Sequence, residues 1–273
     1  MRKGKKLAEG KTKIIWEHDT ESYIVLIESK DDITAGDGAR HDVIANKGVI
    51  ATTTTVNCFM ALAEAGVRNH FINQCDERTF EADKLQMIPI EIVIRWIATG
   101  SYLKRRPDVA EGTYFPSYVV EFFRKDDAQH DPLMIYDLVS QRILYFDPKK
   151  PLASGFIEEA PIRNPDEIER AMVMRGIGIE TFEVLEDKWA KQGVTLVDLK
   201  IECGTDEGGG ILVGDVIDND SWRIWPGGDK SLMKDKQVYR ELAESLDPAA
   251  KAKELGRIKD NFAWVAEQTA KFV

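Results

Sequence analysis

The stretch TLVDLKIECGTDEGGGILVGDVID, residues 195–218, reads as two strands folded back on one another. Alternation in residues 195–204 puts Asp198, Lys200 and Glu202 on one face, with Val197, Leu199, Ile201 and Cys203 on the other. TDEGG (205–209) supplies the turn, and GILVGDVID (210–218) is a second β run carrying Asp215 and Asp218. A face of acid, base and acid is compatible with a solvated sheet surface. It also has the composition of a Mg²⁺–phosphate site, because Mg²⁺ takes oxygen ligands from one or two carboxylates and from phosphate.

Outward from this hairpin, hydrophobic period assigns most of the chain. Residues 7–10, 13–18 and 23–29 (LAEG, KIIWEH, YIVLIES) form a β meander, and DDITAGDGARH (31–41) reads as a polar, glycine-punctuated loop. Val56, Phe59, Met60 and Ala63 give helical spacing over 52–65, stopped by Gly66, and VRNHFINQ (67–74) is a strand. In MIPIEIVIRWIATGS (87–101) Glu91, Val93, Arg95, Ile97 and Thr99 share one strand face. NPDEIERAMVM (164–174) opens a helix with an Asn cap and Pro at the first position, and Gly176 and Gly178 are expected to interrupt it. Phe182, Leu185 and Trp189 form a second apolar stripe, and the C-terminus is helical, with Leu255, Ile258, Phe262, Val265 and Thr269 on one face. Early strands in hairpins followed by grouped helices predict an α+β fold with antiparallel sheets. The expected division is a small β-rich lobe over 1–90 and a larger α+β lobe over 91–273.

Composition narrows the function. The 273-residue chain carries a net charge of −10, which disfavours a nucleic-acid or anionic-membrane partner while leaving room for a local basic pocket. No apolar run is long enough for a membrane span or a signal peptide. Three dispersed cysteines and four histidines without metal spacing point to free thiols in a reducing cytoplasm and away from zinc.

Three further groupings carry chemistry. Gly10-Lys11-Thr12 lacks the opening glycine of a Walker loop and precedes a strand, so it reads as a strand–turn–strand flap that can cover phosphates or as a plain hairpin. Arg95, the run Lys104-Arg105-Arg106, Arg223, Lys236 and Arg240 lie beside turns and suggest anion recognition, since guanidinium forks match carboxylate and phosphate. KDDAQHDP (125–132) adds Lys125, His130 and Asp131.

Together EGKTKIIW, KDDITAGDGAR, MIPIEIVIRWIATGSYLKR, FFRKDDAQHDP, TLVDLKIECG, VGDVIDNDSWRIWPGGDK and KDKQVYR resemble the SAICAR synthetase family, over residues 9 to 240 and in order. The last two look closest to the animal-type branch, where the synthetase is fused to a carboxylase domain that this chain is too short to carry. The resemblance implies a two-lobed fold similar to ATP-grasp and inositol-phosphate kinase folds. It also implies a ligase of purine biosynthesis that joins L-aspartate to carboxyaminoimidazole ribonucleotide with ATP and Mg²⁺. Gly10, Lys11, Thr12 and Lys13 would cover phosphates; Lys84 and Met87 to Glu91 would border the adenine; and Lys125 would support ATP. Glu202 and Asp215 would bind the metal, and Lys200 would reach the transferring phosphoryl group. Asp131 and Asp198 would take up a proton or orient substrate. Asp37, Gly38, Ala39, Arg95, Ser101 and Arg223 would form the ribonucleotide pocket, with Lys236 and Arg240 completing an anion site. The runner-up is a small-molecule kinase of the inositol-phosphate type. Homo-oligomerisation is left open.

Overall fold

A computed structural model describes residues 3–36, 38–243 and 246–273. The chain opens with β1 (Lys3–Glu9), β2 (Lys13–His18) and β3 (Ile24–Ser29), the expected meander. β4 (Asp32–Ala35) and β5 (Arg40–Val43) follow, then α1 (Lys47–Glu64), β6 (Phe71–Gln74) and β7 (Thr79–Asp83). The segment 31–41 is therefore a small hairpin, not a plain loop. Ile33 is fully buried within it, which gives its first strand a core-facing side chain.

A second series runs β8 (Gln86–Ile97), α2 (Ser101–Arg105), β9 (Tyr114–Arg124), β10 (Leu133–Asp137), β11 (Arg142–Phe146) and β12 (Phe156–Pro161). It continues with α3 (Pro165–Ala190), β13 (Val194–Thr205), β14 (Ile211–Gly214), β15 (Trp222–Pro226), α4 (Gln237–Arg240) and α5 (Pro248–Thr269). Five strands form one antiparallel sheet in the order β1-β2-β3-β7-β6. Eight form the other, β12-β11-β10-β9-β8-β13-β14, with β15 on β13. The fold is α+β. The sheet changes between Asp83 and Gln86, and residue 90 lies inside the first long strand of the larger sheet.

α3 begins as its sequence dictates: the Asn164 side chain accepts the Asp166 N–H, Pro165 occupies the first turn, and Asp166 and Glu167 face the helix dipole. It does not break at Gly176 or Gly178. A Cβ on Gly178 would stand 3.0 Å from the Ile94 Cδ1, so this glycine lets the helix backbone lie close on β8. That packing outweighs a propensity cost of about 1 kcal/mol per glycine. Phe182, Leu185 and Trp189 are fully buried with Leu196, Leu199 and Ile201 of β13, each large side chain contributing roughly 2 kcal/mol of burial. β13 is thus held from behind by apolar packing, which leaves its polar face fixed in front.

At the far end of the hairpin, Gly204 pairs with Met87 and Glu202 with Gly214. A Cβ on Gly204 would lie 2.7 Å from the Leu85 Cβ, and one on Gly214 would lie 3.1 Å from the Leu85 Cδ1. The connector between the sheets is seated directly on bare hairpin backbone.

Candidate functional site

The polar face of β13 divides two cavities. The first, about 470 Å³, lies between the small sheet and the connector. Leu7, Ala8, Ile15, Val25, Leu85 and Met87 make its walls apolar, as a flat heterocycle requires. A charged cluster of Lys13, Lys125, Glu202 and Asp215 also lines it. The two carboxylates come from neighbouring β segments and share this cavity. Lys125 Nζ lies 2.8 Å from Glu202 Oε1, and Lys13 pairs with Asp215. Although burial opposes ionisation of Glu202, Lys200, Lys125 and Lys13 hold its carboxyl down at about 2. Burial pushes the Lys13 ammonium down to about 8.

The second strand of the hairpin ends one residue before Asp215, earlier than the pattern 210–218 predicts. Asp215 takes a left-handed conformation, φ 62°, which aspartate tolerates better than most residues. His70 Nε2 lies 2.9 Å from the Asp215 carbonyl oxygen, and since a carbonyl only accepts, Nε2 carries the proton. Burial, with Lys13 nearby, lowers His70 to about 3, so it is a neutral donor at physiological pH. His70 lines the same cavity, and nothing in its sequence surroundings marks it out.

The second cavity, about 630 Å³, is polar. Sheet register builds its floor. Asp198 stands opposite Arg95 of β8 on one side and Arg223 of β15 on the other, and its Oδ2 accepts from both guanidinium groups at 2.6 Å. Arg95 Nε donates to Glu121 Oε2 at 2.6 Å, and Arg105 donates to Glu121 Oε1 at 2.6 Å. The result is a chain of alternating charges across four strands, with Arg95, Asp198, Glu121 and Arg105 all buried. Asp198 is thereby a positioning group for two arginines. Lys200 Nζ reaches Glu91 at 3.1 Å and Glu202 at 3.3 Å, linking the two cavities. Despite burial, those two carboxylates raise the Lys200 ammonium above its ordinary value.

The remaining predicted residues are brought to these cavities only in part. Met87 and Lys84 line the first; Glu91 lines the second and does not reach the apolar slot wall. Gly10, Lys11 and Thr12 sit at the β1–β2 turn outside the slot lining, with Lys11 exposed beside Gly38. Ser101, Arg223 and Arg240 line the polar cavity. Gly36 borders it too, and Ala39 lines an adjoining space with Arg40 and Arg240. Asp37 lies outside the described residues. Lys236 stands behind the wall and donates to Asp220 Oδ2 at 2.7 Å. Burial opposes it, but Lys47 and Lys236 hold Asp220 down at about 2, while burial and Asp220 raise Asp218. Asp131 is not in either cavity lining; its Oδ1 accepts the Asp126 N–H at 2.7 Å and closes the 126–131 loop. Lys104, from the basic run beside α2, also lines the polar cavity, and so do Asp220 and Gln237, which the sequence reading did not single out.

A SAICAR synthetase family profile matches residues 6–255. The chain belongs to the SAICAR synthetase family. It is 44% identical to the phosphoribosylaminoimidazole-succinocarboxamide synthase of Roseiflexus sp., over 100% of this chain and 99% of that one. It is also 44% identical to the bifunctional purine synthesis protein purC/E of Dictyostelium discoideum, covering 98% of this chain but 27% of that larger protein. Equal identity to a free-standing and a fused relative does not assign a branch. A solved SAICAR synthetase in complex with ADP superposes with a TM-score of 0.72 at 29% identity, covering 94% of this chain and 97% of that one. Among the described residues no helix is long and apolar enough to cross a membrane.

Proposed function

We propose that this chain is the ATP-dependent carbon–nitrogen ligase of its family, joining L-aspartate to carboxyaminoimidazole ribonucleotide to give SAICAR, ADP and phosphate. The observation that carries the reading is the meeting of an apolar slot and an arginine-lined cavity at Glu202 and Lys200. ATP occupies the slot, its base between Leu7, Val25 and Met87 and its phosphates toward Lys13 and Lys125. The ribonucleotide occupies the polar cavity, its anionic groups against Arg95, Arg223 and Ser101.

A carboxylate is a poor acyl donor because oxide does not leave. Transfer of the γ-phosphoryl group to the carboxylate oxygen gives an acyl phosphate. The aspartate amine then attacks the carbonyl carbon, and the C–O bond to phosphate breaks as the amine sheds a proton. Lys200 stands where it can neutralise charge on the moving phosphoryl group, and Lys13 and Lys125 hold the remaining phosphates. The buried arginine chain fixes the acceptor carboxylate in line. Arg240 faces the same cavity and suits a carboxylate of the aspartate, with Lys236 positioning Asp220 behind it.

Glu202 and Asp215 fit Mg²⁺. They offer hard carboxylate oxygens from adjoining segments in one cavity, and among the described residues no cluster of three candidate ligands forms a closed protein cage. Bound there with the nucleotide, Mg²⁺ would supply charge neutralisation at the phosphoryl oxygens. The three cysteines are unbonded, which fits a reducing cytoplasm.

ADP release tests this reading. Full turnover should require both ribonucleotide and aspartate. ADP release with an alcohol acceptor and indifference to aspartate would instead establish a small-molecule kinase, which the family match does not favour.

A further inference from the structure

A third cavity, about 420 Å³, lies between α2, β9, β10 and α3. It has the volume of a small-molecule site and takes no part in the chemistry above. Its walls are apolar, among them Phe122, Leu133, Met134 and Ala171, while Leu138 and Met172 at its mouth are 54% and 60% exposed.

The charges on this cavity are not balanced within it. Arg105, Arg106, Arg175 and Glu121 line it, in a chain whose net charge is −10. Glu121 is already saturated by Arg95 and Arg105. Arg106 is paired with Asp108. Arg175 has no ion pair or hydrogen bond among the described residues. Arg105 is 2% exposed, and its Nε is buried without a partner. An apolar hollow with an unpaired guanidinium at the mouth, whose lining carboxylate is already paired, is complementary to one chemical class.

We infer that this cavity binds a small organic anion with an apolar body, its anionic group at Arg175, and that occupancy modulates the ribonucleotide cavity. The route is physical and continuous. Arg105 bonds Glu121, Glu121 bonds Arg95, Arg95 bonds Asp198, and Asp198 bonds Arg223, each at 2.6 Å. α2, whose first residue Ser101 lines the ribonucleotide cavity, carries Tyr102 and Arg105 on this one. A ligand that shifts Arg105 therefore acts on the same guanidinium groups that receive the ribonucleotide, and leaves the nucleotide slot untouched.

The probe is 8-anilino-1-naphthalenesulfonate, an aromatic body with a single anionic group, titrated by fluorescence against the full chain with ADP saturating the slot. Saturable one-to-one binding that survives ADP is expected. Arg175→Glu and Met172→Glu, both exposed positions, should each weaken it by about ten-fold, as loss of a charge-assisted contact or placement of a like charge does, with dye-free turnover unchanged. The dye should raise KM for the ribonucleotide and not for ATP. The inference is overturned if ADP abolishes the signal, if both variants bind the dye as wild type does, or if sedimentation shows two copies joined through this face and parted by Arg175→Glu. Should the chain prove to lack ligase turnover, the binding arm still reads independently of it.

Discussion

The two cavities that meet at Glu202 are built from opposite materials. The slot is apolar with two lysines, Lys13 and Lys125, beside its carboxylates; the neighbouring cavity is polar and floored by arginines locked to carboxylates. An ammonium group is a flexible point charge, suited to phosphates that must travel. A guanidinium fork is rigid and directional, suited to an acceptor that must stay still. The difference therefore divides the labour: one side tolerates motion along the reaction path, and the other forbids it.

The sharpest way to break this comparison is Arg95→Ala. Removing one partner from a buried ion-pair chain leaves Asp198 and Glu121 short of a cation, and thermal denaturation should show a loss of about 3–5 kcal/mol. In the protein that remains folded at low temperature, KM for the ribonucleotide should rise far more than KM for ATP. Equal losses would mean that the arginine floor serves both cavities alike.

Glu202→Gln attacks the junction itself. The fold should survive, read by circular dichroism, while kcat falls about 10²–10³-fold, the usual consequence of removing one preorganised electrostatic contact. An enzyme of wild-type rate would remove the junction from the mechanism.

A pH profile separates lysine from arginine. Burial lowers Lys13 to about 8, so it is charged below that pH and loses its charge above it. kcat/KM for ATP should then fall with rising pH, approaching about ten-fold per unit. Lys13→Arg should carry that limb beyond pH 10, since guanidinium does not titrate there. A limb unmoved by this substitution would place the titration elsewhere.

The smallest effect is a control remote from both cavities. Asn164→Ala removes the α3 cap and should cost about 1 kcal/mol in thermal stability with unchanged kinetics. A kinetic change would mean that α3 transmits strain to β13.

Much of this was legible before any coordinates. The alternation in 195–204 placed Asp198, Lys200 and Glu202 on one face, because a strand's period is fixed by its backbone. The Asn164 cap and the apolar stripe of α3 were equally local. What was not legible depends on register between distant segments. Arg95 meets Asp198 and Arg223 meets it from the other side only once β8, β13 and β15 are aligned. The same holds for Glu121, which no neighbouring residue distinguishes. Gly178 misled because propensity argues against it, whereas close approach to Ile94 requires it. Asp131 shows a related limit: its motif was visible, but the loop hydrogen bond in which it accepts the Asp126 N–H was not.

The seating of Leu85 and Met87 on Gly204 and Gly214 has a consequence for how substrate enters. Bare backbone beneath the connector acts as a mortise, so the two sheets cannot swing apart there without losing that fit. The slot wall contributed by Leu7 and Ala8 belongs instead to β1, which is exposed along nearly its whole length and, among the described residues, paired only with β2. A methyl group at residue 204 would wedge this joint and loosen the frame at its anchored side.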